Sequence, residues 1–124
     1  MKKILVVDDD PTTRHLVAHQ LRRAGFSVSE AGDGEKALER VRREAFDLVL
    51  LDVWMPGLDP RGRRELGALL GGLPATLVVA SHDLEFVAAL CPRAIVLDGG
   101  AVVADGGARE IVGDRALLAR HGLA

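Results

Sequence analysis

Short apolar runs alternate with helical patterns along the whole of this 124-residue chain. That alternation marks strand–helix units feeding a parallel sheet, because parallel neighbours need a long crossover and a helix supplies it. Five strands are predicted, over Lys3–Asp8, Phe26–Ala31, Asp47–Asp52, Ala75–Ala80 and Ala94–Leu97. All but the second are continuous apolar runs, as expected where both faces of a sheet are covered. The second, Phe26-Ser-Val-Ser-Glu, alternates, which predicts an edge strand with one wetter face.

The helices between them carry their own start and stop signals. The first is predicted over about Thr12 to Ala24, with Pro11 in its first turn, Leu16, Val17 and Leu21 on one face, and Gly25 ending it. The second follows the Asp33-Gly34 turn and turns Ala37, Leu38, Val41 and Ala45 inward. The third starts at Asp59-Pro60, presents Leu66, Leu69, Leu70 and Leu73, and stops at Gly71-Gly72. The fourth, capped by Asp83, buries Leu84, Val87 and Leu90 before Pro92. Asp98-Gly99-Gly100 is a tight-turn signal followed by Ala101-Val-Val-Ala, a sixth strand that makes an antiparallel hairpin. A last helix, about Ala108 to His121, carries Ile111, Val112, Leu117 and Leu118, with Gly113-Asp114 breaking it in two.

Composition narrows the function classes. The length is that of one domain, and one domain is expected over residues 1–124. With 16 basic and 18 acidic side chains, the chain has no strong field to hold nucleic acid or an anionic membrane. The single cysteine, Cys91, has no partner in the chain and reads as a buried structural thiol, which suits a reducing compartment. Behind Met1-Lys2-Lys3 the apolar run ends after Ile4-Leu-Val-Val at three aspartates, too short for a signal peptide or a membrane span. A cytoplasmic protein is expected.

Those aspartates are the chemical centre of the sequence. Asp8, Asp9 and Asp10 end the first strand and Asp52 ends the third, and such ends lie side by side at the ligand-binding edge of a doubly wound sheet. Crowded carboxylates repel, and a hard cation such as Mg²⁺ relieves them. Asp10, just before Pro11, reads as a helix cap instead. His15 and His19 are four apart and able to share a metal, although solvated surface is the plainer reading, and His121 also falls in a helical segment.

The segments Ile4-Leu-Val-Val-Asp-Asp-Asp-Pro, Ala31-Gly-Asp-Gly-Glu-Lys-Ala-Leu and Asp47-Leu-Val-Leu-Leu-Asp-Val-Trp-Met-Pro-Gly resemble a bacterial response-regulator receiver domain over residues 1–58. The resemblance implies a flavodoxin-like α/β fold, three layers with sheet order 2-1-3-4-5, here with the sixth strand antiparallel at the edge. It also implies that Asp52 accepts a phosphoryl group from a histidine kinase. Asp8 and Asp9 would hold Mg²⁺ together with Asp52 and the backbone carbonyl of Trp54. A carboxylate attacking phosphorus needs the charge on the phosphoryl oxygens neutralised, which agrees with that assignment. The family further uses a hydroxyl after the fourth strand, for which Ser81 stands in weakly, and a lysine after the fifth. No lysine occurs beyond Lys36.

The rest of the chain resembles the C-terminal part of an ABC-transporter ATPase. Gly57-Leu-Asp-Pro is similar to the D-loop, Leu77-Val-Val-Ala-Ser-His-Asp-Leu-Glu to the switch-histidine strand with His82, and Arg93-Ala-Ile-Val-Leu-Asp-Gly-Gly-Ala-Val-Val to the closing hairpin. Asp52 falls on the Walker B aspartate as well as on the phosphoacceptor. Yet there is no phosphate-binding loop of the Gly-x-x-x-x-Gly-Lys-Ser/Thr type, and Val53 holds the place of the catalytic glutamate, so neither ATP binding nor catalysis is expected. Joined in register where both families place an acid at the end of the third strand, with residues 1–58 as the receiver-like half and 59–124 as the ATPase-like half, the two partial patterns read first as an engineered or evolution-inspired fold chimera retaining the acidic cluster. The alternative is a natural phosphorelay module phosphorylated at Asp52, and the third reading is an ATPase remnant.

Overall fold

The structure, a computed structural model, describes residues 1–52, 59–72, 74–81 and 83–123, leaving aside the side chains of Arg63, Leu66 and Leu69. The expectations for Leu66, Leu69, Leu73, Val53, Trp54 and His82 therefore lie outside what is described. The chain divides into two compact units, Met1–Ala80 and Ser81–Ala124.

The first unit runs β1 (Lys3–Val7), α1 (Pro11–Arg23), β2 (Ser27–Ala31), α2 (Gly34–Arg43), β3 (Leu48–Asp52), α3 (Pro60–Gly71) and β4 (Thr76–Ala80). Its four strands form one parallel sheet in the order 2-1-3-4. The alternating segment is indeed an edge strand, β2, while β1 carries Ile4, Leu5, Val6 and Val7 fully into the core. The chain steps from β1 to β2 in one direction and from β2 to β3 to β4 in the other. Right-handed crossovers then put α1 on one face and α2 with α3 on the opposite one. α2 packs against α3 and buries Ala37, Leu38 and Val41.

Two expected helix faces of this unit need correction, as does one in the second unit, where none of Leu84, Val87 and Leu90 is fully buried. Leu16 is 58% exposed, whereas Val17 and Leu21 are half-buried and the residue of α1 with no exposed surface is Ala18. Ala45 is exposed and Phe46, after the helix ends, is buried in its stead. In both cases the contact is set by the sheet's position rather than by the apolar count of the helix. The helix caps follow the sequence signals: Asp10, Asp33 and Asp59 accept backbone N–H bonds from Thr12, Lys36 and Gly62 at 3.1, 2.8 and 2.7 Å. Gly25 ends α1 with φ +99°, a backbone that favours glycine.

The second unit comprises α4 (Leu84–Leu90), β5 (Arg93–Asp98), β6 (Ala101–Gly107), α5 (Ala108–Gly113) and α6 (Arg115–Arg120). The sheet order 2-1-3-4-5 is corrected here. β5 pairs antiparallel with β6 in a two-stranded sheet of its own, and the parallel sheet stops at β4. What joins β5 to β6 is a tight turn: Gly99 and Gly100 have φ of +58° and +79°, as a two-residue hairpin turn requires. A hairpin closed by two residues incurs almost none of the loop entropy of a long crossover. The break expected at Gly113-Asp114 separates α5 from α6, and Asp114 caps the latter through Leu117 N–H at 3.1 Å.

Cys91 ends α4 half-buried beside an open cavity of about 460 Å³ lined by Pro92, Ala108 and Arg109. Burial pushes its thiol above the ordinary value. His121, the residue after α6, places Nδ1 2.6 Å from the Asp98 carboxylate.

Candidate functional site: the acidic edge of the parallel sheet

β1 and β3 are parallel neighbours whose last paired residues are Val7 and Leu51. The next residue on each strand is an aspartate, Asp8 and Asp52. In-register neighbours in a sheet stand roughly 4.8 Å apart at the backbone, so the two carboxylates leave adjacent strand ends at one edge of the sheet. β3 continues in pairing to β4, where Asp52 is opposite Ala80.

Asp8 is the one charged residue among the described residues classed with the core, at 5% exposure. Its backbone N–H donates to the Ala31 carbonyl at 3.2 Å, and its Oδ1 accepts the Asp10 N–H at 3.0 Å. No ion pair to Asp8 is seen among the described residues. Asp9 is exposed and Asp52 half-buried. Asp10 belongs to the helix, as expected: it caps α1, and the Thr13 hydroxyl at 2.7 Å is the main cause holding its carboxyl below the usual range.

Among the described residues no three His, Cys, Asp or Glu side chains stand together as a ready metal cage. The expected convergence of three carboxylates is thus not preformed. The donor chemistry still fits a small hard cation, because Mg²⁺ takes only one or two protein carboxylates and keeps several waters. His15 and His19 form no such pair either: His15 Nδ1 lies 2.7 Å from Glu30, and His19 is exposed. Ser81 follows Ala80 in the chain, and its hydroxyl accepts the Asp83 N–H at 2.8 Å. Trp54 and His82 are outside the described residues.

One group around the site escaped the sequence reading. Arg14, from the first turns of α1, donates through Nη1 to the Asp8 carbonyl at 2.9 Å and through Nε to Glu30 at 3.2 Å. The signal was available: Arg14, Ala18 and Arg22 recur every four residues and share a helix face, and Glu30 is the acidic member of an alternating strand.

The family model for the response regulator receiver domain matches residues 4–83, more than half of the chain. The chain belongs to the response regulator receiver family. A solved structure of histidine kinase ThkA in complex with response regulator protein TrrA, from Thermotoga maritima, matches this receiver with 36% identity. Its TM-score is 0.55, with 64% of this chain and 67% of that one covered. A response regulator from Burkholderia pseudomallei, solved with a phosphorylated aspartic acid, calcium ion and citrate, matches at 26% identity and a TM-score of 0.56. That match covers 64% of this chain and 46% of the other. A putative ABC transporter ATP-binding protein of Gloeobacter violaceus is 42% identical over 106 residues, 86% of this chain and 43% of its own. The receiver thus spans less than half the length of that curated relative.

The receiver match runs through residue 83, past the expected seam at residue 58 and close to the division between the two compact units. β4 explains the difference. Its strand of Thr76–Ala80 is held to β3 along its full length, so it belongs physically to the receiver sheet whatever its sequence resembles. Among the described residues no helix is long and apolar enough to cross a membrane.

Proposed function

We propose that this receiver is a phosphorelay signalling module whose phosphoacceptor is Asp52. The observation that carries it is the placement of Asp8 and Asp52 at adjacent strand ends, immediately beyond the Val7–Leu51 pair, in a chain matched by the receiver model. A carboxylate oxygen of Asp52 attacks the phosphorus of a phosphohistidine or a small acyl phosphate. The P–N or P–O bond to the donor breaks, and an aspartyl phosphate remains. Asp8 and Asp9, with the Trp54 carbonyl, are the proposed ligands of Mg²⁺, which when bound neutralises charge on the phosphoryl oxygens. The solved relatives support the two implied partners, since one contains a histidine kinase and the other a phosphorylated aspartate with a divalent ion.

Ser81 is the proposed hydroxyl partner, and the family's lysine has no counterpart beyond Lys36. Little differential binding energy is then left to shift a conformational equilibrium, so phosphorylation should change the fold only near Asp52. Acetyl phosphate with Mg²⁺ tests the proposal: an adduct in the intact mass that is absent in Asp52→Asn is expected. No adduct under conditions that label another receiver refutes it.

A second reading, a fold chimera whose C-terminal part comes from an ABC ATPase, draws on the Gloeobacter relative. It is the weaker one, because the receiver model extends well past the proposed seam. On that reading ATP turnover is not expected of this chain, whose sequence has no phosphate-binding loop. ATP hydrolysis above the blank and abolished by His82→Ala would reverse that order.

A further inference from the structure

We propose that Arg14 is a positioning residue for the acid pair. Anchored on Glu30 and seated over Gly32, it holds the Asp8 carbonyl and so sets how Asp8 and Asp9 present their carboxylates to a divalent cation. The inference rests on the receiver reading of that edge and concerns a residue outside the acids themselves.

Arg14 is a long cation that the fold keeps 84% covered, its side chain being only 16% exposed. Its fork is used on two targets at once, the Asp8 carbonyl at 2.9 Å and Glu30 Oε1 at 3.2 Å. Glu30 is anchored in turn by His15 at 2.7 Å and by Arg22 at 3.5 Å, and Arg22 also donates to the Val28 carbonyl at 3.1 Å. The guanidinium lies where residue 32 has no side chain: a Cβ built on Gly32 would stand 3.0 Å from Nη1 and 3.6 Å from Cζ. That distance is too short for an alanine without moving the arginine.

The held carbonyl belongs to the peptide that joins Asp8 to Asp9. With that peptide fixed, and with Asp8 tied by its N–H to Ala31 and by its carboxylate to the Asp10 N–H, the direction of the Asp9 side chain is restricted too. The Arg14 N–H donates to the Asp10 carbonyl at 2.9 Å, the first bond of α1, which fixes where the side chain leaves the helix. Outer partners of this kind characteristically govern metal affinity. Lysine cannot replace the fork, since a point charge on a flexible stem does not span two fixed acceptors.

Electrostatics and positioning predict opposite signs, which makes the inference testable. If Arg14 acted only as a nearby positive charge, its removal would tighten Mg²⁺ binding. If it positions the acids, removal weakens it. The full chain is titrated with Mg²⁺ by calorimetry and by Trp54 fluorescence, with urea melts confirming that each variant is folded at the titration temperature. Arg14→Ala is expected to weaken Mg²⁺ roughly 10-fold or more, and Arg14→Lys to recover little of the loss. Gly32→Ala changes no charge and pushes the guanidinium aside by a few tenths of an ångström, so it is expected to weaken binding in the same direction as Arg14→Ala but by less than that variant's roughly 10-fold. In the Arg14→Ala background it should cost nothing further, because the group it displaces is gone. In the metal-free protein, the Asp8 carbonyl and Asp9 amide resonances should move in all three single variants.

Unchanged or tighter binding in Arg14→Ala overturns the proposal, as does a Gly32→Ala loss that persists without Arg14. A wild-type chain that gives no Mg²⁺ response, or one whose response survives Asp9→Asn, overturns instead the receiver reading underneath.

Discussion

In the first unit Leu5, Val7, Val49 and Leu51 are completely enclosed, whereas in the second the equally aliphatic Ile95, Leu97, Val102 and Val103 are 50, 67, 62 and 37% exposed. The residue types hardly differ. A four-stranded sheet has interior strands and crossover helices to cover its faces, while a two-stranded hairpin has only its own two edges and whatever short helix lies on it. What the second unit buries is accordingly small: Val96, Ala108, Ile111 and Leu118. Apolar sequence makes a strand, and the number of neighbours makes a core.

The largest expected effect sharpens that contrast. Leu51→Ala removes a side chain with no exposed surface and should cost about 2–5 kcal/mol in urea unfolding. Leu97→Ala, at 67% exposure, should change stability by less than about 0.5 kcal/mol. Equal losses would show that the hairpin is enclosed in solution and break the comparison.

Helix caps test whether the units melt separately. Asp33→Ala in the first unit and Asp114→Ala in the second each remove a side-chain bond to a helix N-terminus, at 2.8 and 3.1 Å, and each should cost about 1 kcal/mol. Amide exchange read by strand should show the Asp114 substitution loosening β5–β6 while leaving β1 and β3 protected. A uniform loss of protection would mean one cooperative unit.

The smallest effect is on pH. Asp105 is held below its ordinary value of 3.8, chiefly by the Arg93 hydrogen bonds at 2.8 and 2.7 Å. A carboxyl whose folded value is depressed stabilises the fold above the unfolded value, and that contribution disappears as pH falls through the folded one. The hairpin should therefore weaken slightly below pH 3.8, and Arg93→Gln should flatten the dependence. The pair is on the surface, so the change is small and should fade in salt. Glu44, lowered first by Arg40 and then by Lys3, gives the first unit a loss of the same sign, which Arg93→Gln should leave untouched.

Much of this was legible from residue order. The alternation in Phe26-Ser-Val-Ser-Glu marked an edge strand, and the aspartates before Thr12, Lys36 and Gly62 marked helix starts, because both patterns act through neighbours a few residues away. Leu16 was misread for the opposite reason. Periodicity counts apolar side chains, but which of them meets the sheet depends on how far the helix is rotated, and close approach selected Ala18. Arg14 went unread because its partners, Asp8 and Glu30, are 6 and 16 residues distant.

By itself, then, the sequence determined the elements, their caps, the hairpin turn and the identity of the acidic edge, all of them products of local backbone preference and side-chain period. Tertiary structure alone decided that β5 leaves the parallel sheet for β6, that Asp8 is buried while Asp9 is exposed, and that Gly32 makes room for an arginine. Those outcomes depend on which strands become neighbours. Pairing across a sheet is a competition between distant segments, and no single segment carries the energy of the pairings it loses.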